Sequence, residues 1–241
     1  MAGNRFFDPR AYFSNIYPHY TYQNLLKTAK FKADKVFEGS PYYSSADDCF
    51  LYLHHMDGGL TTDLYSHFKV HVNLAENSEL IDAWNNIAFI LTATEANPIK
   101  QIKVVVPEWV NDEKKGIAKI DRDRRLTGAQ ITLYIYFKSK EDKEIDIDAY
   151  VLILEAIERA LSSGRFIPPT IVPDNDLPIS QYLSMREDLQ NDKGEFLSFV
   201  PGKKGTIHPL IEEFKKRLDA KLNNSISNTS TQSSPEFKRT R

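Results

Sequence analysis

The stretch "LYSHFKVHVNL", residues 64–74, alternates polar and apolar side chains along its length. Successive side chains of a β-strand point to opposite faces, so this pattern predicts a strand with one polar and one apolar face. The polar face carries Tyr65, His67, Lys69, His71 and Asn73. The simplest interpretation is a half-solvated antiparallel sheet. The alternative is an anion-binding site, because lysine and histidine share this face without an acidic neighbour.

Two further segments, residues 99–106 and 129–137, are predicted to be strands with the same two faces. Both are rich in β-branched residues, and both alternate polar with apolar side chains. Residues 49–56 are another strand candidate, which ends at the turn signal "DGG". A sheet built from these strands would present, on its polar surface, Lys69, His71, Lys103 and Tyr134.

Three segments have the apolar period of amphipathic helices, namely residues 78–96, 146–164 and 208–222. The two long helices, 78–96 and 146–164, are expected to pack against the apolar face of the sheet in a single α+β domain with an antiparallel or mixed sheet. The charged segment 108–127 is predicted to be a solvated loop with a helical turn.

The composition along the chain predicts three regions. Residues 1–46 are expected to form short helices and loops that pack on the core, and residues 47–222 to form the domain itself. Residues 223–241 are rich in serine, threonine and asparagine and are predicted to be a disordered tail.

The overall composition argues against several classes of protein. With 41% apolar residues, the 241-residue chain can bury a sizeable core, and a formal net charge of −2 argues against a general binder of nucleic acid or anionic membranes. Cys49 is the only cysteine, which excludes an intrachain disulfide and a cysteine-rich zinc site. His54 and His55 are adjacent in a predicted strand and point to opposite faces, so no metal site is expected there.

The N-terminus lacks the layout of a cleaved signal peptide, and no apolar run is long enough to span a bilayer. We therefore expect a soluble protein that is synthesised in a cytoplasm, has no membrane or nucleic-acid partner, and is a monomer.

Four segments resemble, in the same order, segments of one known family. "RRLTGAQITLY" (Arg124–Tyr134) is similar to the family's "ARVSLGAQFTLY", and "FKVHV" (68–72) looks like its lysine- and histidine-bearing strand. "NPIKQIKV" (97–104) is similar to "SPVDKWKV", and "QYLSMREDLQNDKG" (181–194) to "KYLSYRNELRSGRDG". The family is that of the OspF/SpvC phosphothreonine lyases, bacterial effectors that are injected into host cells.

The resemblance implies a β-elimination that breaks the carbon–oxygen bond of phosphothreonine and releases phosphate without a metal or other cofactor. It also implies a phosphorylated protein as the substrate, with a host kinase as one candidate. The Ser/Thr-rich tail is compatible with a C-terminal secretion signal, although disorder alone explains it equally well.

The resemblance assigns Lys103 as the general base that removes the Cα proton. Free lysine has a pKa of about 10.4, so this role needs surroundings that favour the neutral amine. His71 is the corresponding general acid, which suits the proton affinity of histidine. Lys69 would stabilise the developing negative charge, and Tyr134 could orient Lys103 through its hydroxyl.

Phosphate binding falls, by the same resemblance, to Arg124, Arg186 and Lys193. Arginine offers a planar fork that matches phosphate, whereas lysine offers a point charge. Arg122 and Arg125 are close enough to Arg124 that a small error in the alignment would exchange their roles.

The chain also departs from the family. Lys193 replaces an arginine, Tyr136 stands where the family has a lysine that contributes to substrate choice, and the stretch from Lys103 to Arg124 is longer. A docking segment for mitogen-activated protein kinases is not evident in residues 1–30. Two other functions stay open, namely a phosphopeptide-binding module without catalysis and a lyase that dehydrates phosphorylated biosynthetic precursor peptides.

Overall fold

The computed structural model describes residues 20–30, 35–36, 42–47, 49–56, 66–92, 97–136, 144–170, 172–173, 176–187 and 209–230. The helices of this part of the chain are α1 (Tyr22–Lys30), α2 (Leu80–Thr92), α3 (Pro107–Val110), α4 (Lys119–Leu126), α5 (Ile147–Gly164) and α6 (Pro209–Ser230). The strands are β1 (Lys35–Val36), β2 (Tyr42–Ala46), β3 (Phe50–His55), β4 (Ser66–Val72), β5 (Gln101–Val105), β6 (Ile131–Tyr136), β7 (Leu177–Pro178) and β8 (Leu183–Glu187).

These strands form one sheet in the order β1-β2-β3-β5-β6-β4-β8-β7, and each described pairing is antiparallel. Apolar side chains from one face of the sheet join those of α2, α5 and α6 in a single buried cluster. Trp84, Leu154 and Phe214 are fully buried representatives of the three helices. The predicted α+β class, with a sheet backed by helices, is confirmed, and the sheet is antiparallel.

The predicted strands and the first two predicted helices are present with slightly different ends. Asp146 caps α5 by accepting a hydrogen bond from the backbone N–H of Ala149 at 3.1 Å. At the other end of α5, Arg165 has a left-handed conformation (φ 60°) and ends the helix directly after Gly164, as predicted. Residues 64–65, 93–96 and 137, which belong to predicted elements, lie outside the described residues.

The prediction of a loop at 108–127 was wrong for most of that segment. It contains α3, a 3-10 turn at Glu113–Lys115, and α4. Arginine and lysine are good helix formers, so a high charge does not prevent a helix when a few apolar residues can anchor it. Val110 is completely buried, and Leu126 packs against the core.

Three other parts of the chain differ from the predictions. The N-terminal region contributes β1 and β2 to the sheet rather than only short helices and loops, and Tyr42 of β2 is buried with its hydroxyl donating to the carbonyl of Ile99 at 2.9 Å. β7 and β8 were not predicted, because β7 has only two residues and β8 is buried along most of its length instead of alternating. The last helix ends at Ser230 instead of residue 222, since an anchored helix extends at little cost into polar sequence.

Glu158 of α5 connects the helices to the turn that precedes β8. Its carboxylate accepts hydrogen bonds from Ser180 Oγ at 2.6 Å and from the backbone N–H of Tyr182 at 3.2 Å. Burial raises the pKa of Glu158 above its ordinary value, and the hydrogen bonds oppose this rise. The turn, and with it the position of β8, therefore depends on a buried carboxyl group.

We expect the contribution of Glu158 to the free energy of unfolding to fall as the pH rises from about 4.3, the pKa of free glutamate, towards the raised pKa of Glu158. In this interval the folded chain keeps a proton that the unfolded chain has released, so a higher pH favours unfolding. Glu158→Gln cannot ionise, so its thermal unfolding midpoint should rise relative to that of the unaltered protein as the pH rises through this interval. Glu212→Gln, at an exposed position of α6, is the matched control. Equal slopes for Glu158→Gln and the unaltered protein would contradict this prediction.

Candidate active site

The candidate site lies on the polar face, at the centre of the sheet. Lys103 on β5 lies opposite Thr132 on β6, which in turn lies opposite His71 on β4. Neighbouring strands are about 4.8 Å apart, so the backbones of Lys103 and His71 are separated by about 10 Å. We call these three residues the central row.

A second row of polar side chains runs beside the central row. Tyr134 on β6 lies opposite Lys69 on β4, and Lys69 lies opposite Arg186 on β8. Lys69 is 7% exposed, Arg186 is 5% exposed and His71 is only 1% exposed. A half-solvated face would leave such side chains in water, so that interpretation is wrong for the centre of this sheet. Burial of the two cationic side chains Lys69 and Arg186 on one face favours the anion-site alternative.

Aromatic rings surround the amine of Lys103. Its Nζ lies 4.2 Å from the centroid of the Phe50 ring and 5.7 Å from that of Tyr134. The Nζ of Lys69 lies 5.2 Å from the same Tyr134 centroid. Tyr134 therefore contacts both lysines through the face of its ring, where the aromatic quadrupole is negative. The expected orienting role of its hydroxyl stays a prediction.

His71 is held by a carboxylate that the sequence did not reveal. Its Nδ1 lies 2.5 Å from Oδ2 of Asp176, and Ser184 Oγ donates to the same oxygen at 2.7 Å. The amide of Asn73 lies 2.9 Å from Ser184 Oγ and extends this buried network. A carboxylate at Nδ1 fixes the orientation of the imidazole and leaves Nε2 for a substrate.

The loop that carries Asp176 packs closely on the segment between α4 and β6. A Cβ added at Gly128 would lie 2.5 Å from Cδ of Pro173, so the loop can approach only a glycine. The backbone N–H of Asp176 donates to the carbonyl of Pro173 at 2.8 Å. Gln130, in the same "TGAQ" segment, donates to the carbonyls of Leu74 and Leu126 at 3.0 Å each. This segment thus has a structural role in assembling the site.

The three predicted phosphate ligands lie in different parts of the chain. Arg186 lies beside Lys69, as described above. Arg124 lies on α4, but the structure does not describe its side chain, and Lys193 lies outside the described residues. Arg125 is near the site: its guanidinium donates to Sγ of Cys49 at 2.8 Å and lies 5.5 Å from the Phe50 ring centroid. Arg122 instead donates to the carbonyl of Ile117 at 3.3 Å.

A family model described as OspF/SpvC matches residues 7–196, which is most of the chain. The chain belongs to the OspF/SpvC family. No curated protein matches it significantly.

Solved structures of OspF/SpvC proteins share the fold at low sequence identity. The phosphothreonine lyase SpvC, an effector from Salmonella, is 18% identical with a TM-score of 0.55, covering 82% of this chain and 83% of that chain. The type III effector and phosphothreonine lyase OspF from Shigella flexneri is 18% identical with a TM-score of 0.55, covering 82% and 84%. The phosphothreonine lyase effector VirA (SpvC) from Chromobacterium violaceum is 19% identical with a TM-score of 0.55, covering 78% and 82%.

The position where the OspF/SpvC resemblance expects a lysine holds a neutral side chain here. The hydroxyl of Tyr136 donates to Oε1 of Gln101 at 2.6 Å, and burial raises the pKa of this tyrosine. Its ring stacks on that of Tyr134, with centroids 6.4 Å apart. Compared with the family pattern, this member therefore replaces a cation with an aromatic surface beside Tyr134 of the second row.

The described residues contain neither a membrane-spanning helix nor a cluster of metal-binding side chains. Within those ranges, no helix is long and apolar enough to cross a membrane. The same part of the chain holds no group of three or more histidine, cysteine, aspartate or glutamate side chains arranged to bind a metal ion. As predicted, His54 and His55 lie on opposite faces: His54 Nε2 contacts Ser45 Oγ at 2.9 Å, whereas His55 is buried against Tyr42.

Proposed function

We propose that the protein is a phosphothreonine lyase that removes phosphate from a phosphorylated protein by β-elimination. The single observation that carries the proposal is the central row, in which a lysine and a histidine flank a small residue on adjacent strands. Membership of a family whose solved relatives include phosphothreonine lyases supports it.

In the proposed reaction Lys103 Nζ removes the Cα proton of the phosphorylated residue. The electron pair of the Cα–H bond becomes the second bond between Cα and Cβ, and the Cβ–O bond breaks with its electrons leaving on phosphate. His71 Nε2 donates a proton to the departing oxygen, while Asp176 holds the ring from the other side. The cations Lys69 and Arg186 stabilise the phosphate and the carbanion-like transition state. Arg124 or Arg125 and Lys193 are proposed as further phosphate ligands.

We also propose an effector setting for this reaction. OspF from Shigella flexneri is described as a type III effector, and the fold is shared. Delivery into a host cell, with a phosphorylated host protein such as a kinase as the substrate, would follow by family analogy. The neutral Tyr136 argues that this substrate differs in the residues near the phosphothreonine from those recognised through a lysine.

The direct test is to incubate the protein, in buffer containing a chelator, with peptides carrying phosphothreonine or phosphoserine and to measure product masses. Elimination removes phosphoric acid and leaves a dehydrated residue, whereas hydrolysis removes only the phosphoryl group and leaves the alcohol. A thiol added afterwards should react with the dehydrated residue. Binding without a mass change would favour a recognition module, and conversion restricted to precursor-type peptides would favour the biosynthetic alternative.

Thr132 gives a prediction in which stability and activity move in opposite directions. Its hydroxyl is buried and has no hydrogen-bond partner among the described residues, although it lies between the base and the acid. Thr132→Val keeps the shape, so the free energy of unfolding should stay equal or rise by about 1 kcal/mol. If the hydroxyl binds substrate, kcat/KM should fall about 10-fold, a typical value for one lost hydrogen bond.

Thermal unfolding and peptide kinetics measure the two effects, and Thr132→Ser is the control that retains the hydroxyl. Unchanged kinetics for Thr132→Val would show that the hydroxyl has no role in catalysis or binding.

A further inference from the structure

A row of stacked rings lies on the other side of Lys103 from His71. The rings of Tyr43 and His54 have centroids 4.9 Å apart at an interplanar angle of 18°, and those of His54 and Tyr52 are 5.6 Å apart at 12°. Tyr43 lies on β2, and His54 and Tyr52 lie on β3. We call these three residues the aromatic ladder. The proposed elimination uses none of them.

The ladder is fixed by contacts on both strands. Tyr43 is directly opposite His54, and the hydroxyl of Tyr52 donates to Oδ2 of Asp47 at 2.6 Å. The other oxygen of Asp47 accepts from the backbone N–H groups of Cys49 and Phe50 at 2.7 Å each. The rings are therefore preorganised, and a ligand that binds them has little side-chain freedom to remove.

The ladder is continuous with the proposed active site. Tyr52 lies directly opposite Lys103, and His54 lies opposite Gln101. Tyr43, Tyr52 and His54 are all half-buried. Since strands are about 4.8 Å apart, β3 and β2 lie about 5 and 10 Å from the strand that carries the base.

The direction of the substrate follows from the proposed reaction. The phosphate must reach His71 and Arg186 on β4 and β8, while the Cα proton must reach Lys103 on β5. The peptide backbone therefore lies over β5 on the side away from the phosphate. An extended peptide advances about 3.3 Å per residue. On a path across the sheet from β5 towards β2, the first three residues next to the phosphothreonine would therefore pass over the ladder.

The chemistry of the ladder selects an uncharged ring. Burial raises the pKa of Tyr52, so its hydroxyl stays neutral, and the carboxylate of Asp47 beside it disfavours an acidic side chain. Aromatic rings pair favourably with one another in stacked or edge-to-face arrangements, and the ladder offers three such rings. On this basis, and resting on the proposed lyase function, we propose that the ladder binds an uncharged aromatic side chain of the substrate, within three residues of the phosphothreonine on one side.

The test uses short peptides with a central phosphothreonine and alanine elsewhere, in which phenylalanine or aspartate is placed in turn at each position up to three residues away. Affinities are measured with full-length Lys103→Ala, so that no turnover is needed, and elimination rates with the unaltered protein. We expect phenylalanine on one side of the phosphothreonine to tighten binding about 5- to 10-fold, and aspartate at the same position to give no gain.

Three ladder variants and one surface variant make the assignment specific. In the Lys103→Ala background, Tyr43→Leu and Tyr52→Leu should abolish the preference for phenylalanine, whereas Tyr52→Phe keeps the ring and should retain it. Leu152→Ala, on the exposed surface of α5, should change neither affinity nor preference. Thermal unfolding of each variant identifies any that fails to fold, in which case the remaining ladder substitution decides.

The outcomes separate this inference from the lyase proposal. Equal affinity for all flanking residues, or a preference that survives both leucine substitutions, overturns the ladder inference even if phosphate is eliminated. A ladder-dependent preference without elimination supports the inference and overturns the lyase. A failure of every phosphopeptide to bind overturns both.

Discussion

Lys103→Ala should lower the rate of phosphate elimination by about 10²- to 10⁴-fold, the range expected when a general base is lost. The lysine lies opposite Thr132 in the central row, and the rings of Phe50 and Tyr134 border its amine. The rate is measured from the mass change of a phosphothreonine peptide.

Lys103→Arg provides the decisive comparison. Arginine keeps the positive charge but cannot accept a proton near neutral pH, so it should be nearly as inactive as alanine if Lys103 is the base. If Lys103→Arg instead keeps most of the activity, the lysine acts through its charge. Lys216→Ala, at an exposed site on α6, is the matched control for loss of a lysine. Binding of the phosphopeptide to Lys103→Ala should persist, because Arg186 and Lys69 are unchanged.

Asp176→Asn should lower kcat by about 10²-fold with a much smaller change in KM. The substitution weakens the contact between Asp176 Oδ2 and His71 Nδ1, and the imidazole then loses the group that fixes its orientation. General-acid catalysis by Nε2 depends on that orientation, and its loss costs about 10²-fold or more. The effect should appear in kcat because Asp176 does not contact the phosphate in the proposed reaction.

A double-mutant cycle with His71→Gln tests whether Asp176 acts through the histidine. In the His71→Gln background, Asp176→Asn should cause little further loss, because the group that it positions is already gone. Additive losses would mean that Asp176 acts independently of His71. Ser184→Ala removes only the second hydrogen bond to Asp176 Oδ2 and should have a clearly smaller effect. Thermal unfolding of each variant distinguishes a positioning role from a loss of folding.

Local periodicity was enough to predict the four central strands of the sheet and two of the helices that pack on it. Strands β4, β5 and β6 alternate with period two, and α2 and α5 have the apolar spacing of helices, so their type and their buried faces follow from neighbouring residues alone. The charged segment 108–127 was mispredicted because charge gives little information about helix formation. There, the burial of Val110 and the packing of Leu126 supply the anchoring that composition does not reveal.

The sequence by itself determined that Lys69, His71, Lys103 and Tyr134 share one face of a sheet. Only the tertiary structure decided that Lys103, Thr132 and His71 form one row, because strand register depends on pairings between distant segments and on the packing of the whole core. It also decided that this polar face is buried at its centre and that Asp176, 105 residues away in sequence, contacts His71. A loop aspartate has no periodicity that could mark it, so its role emerges only when the chain packs Pro173 against Gly128.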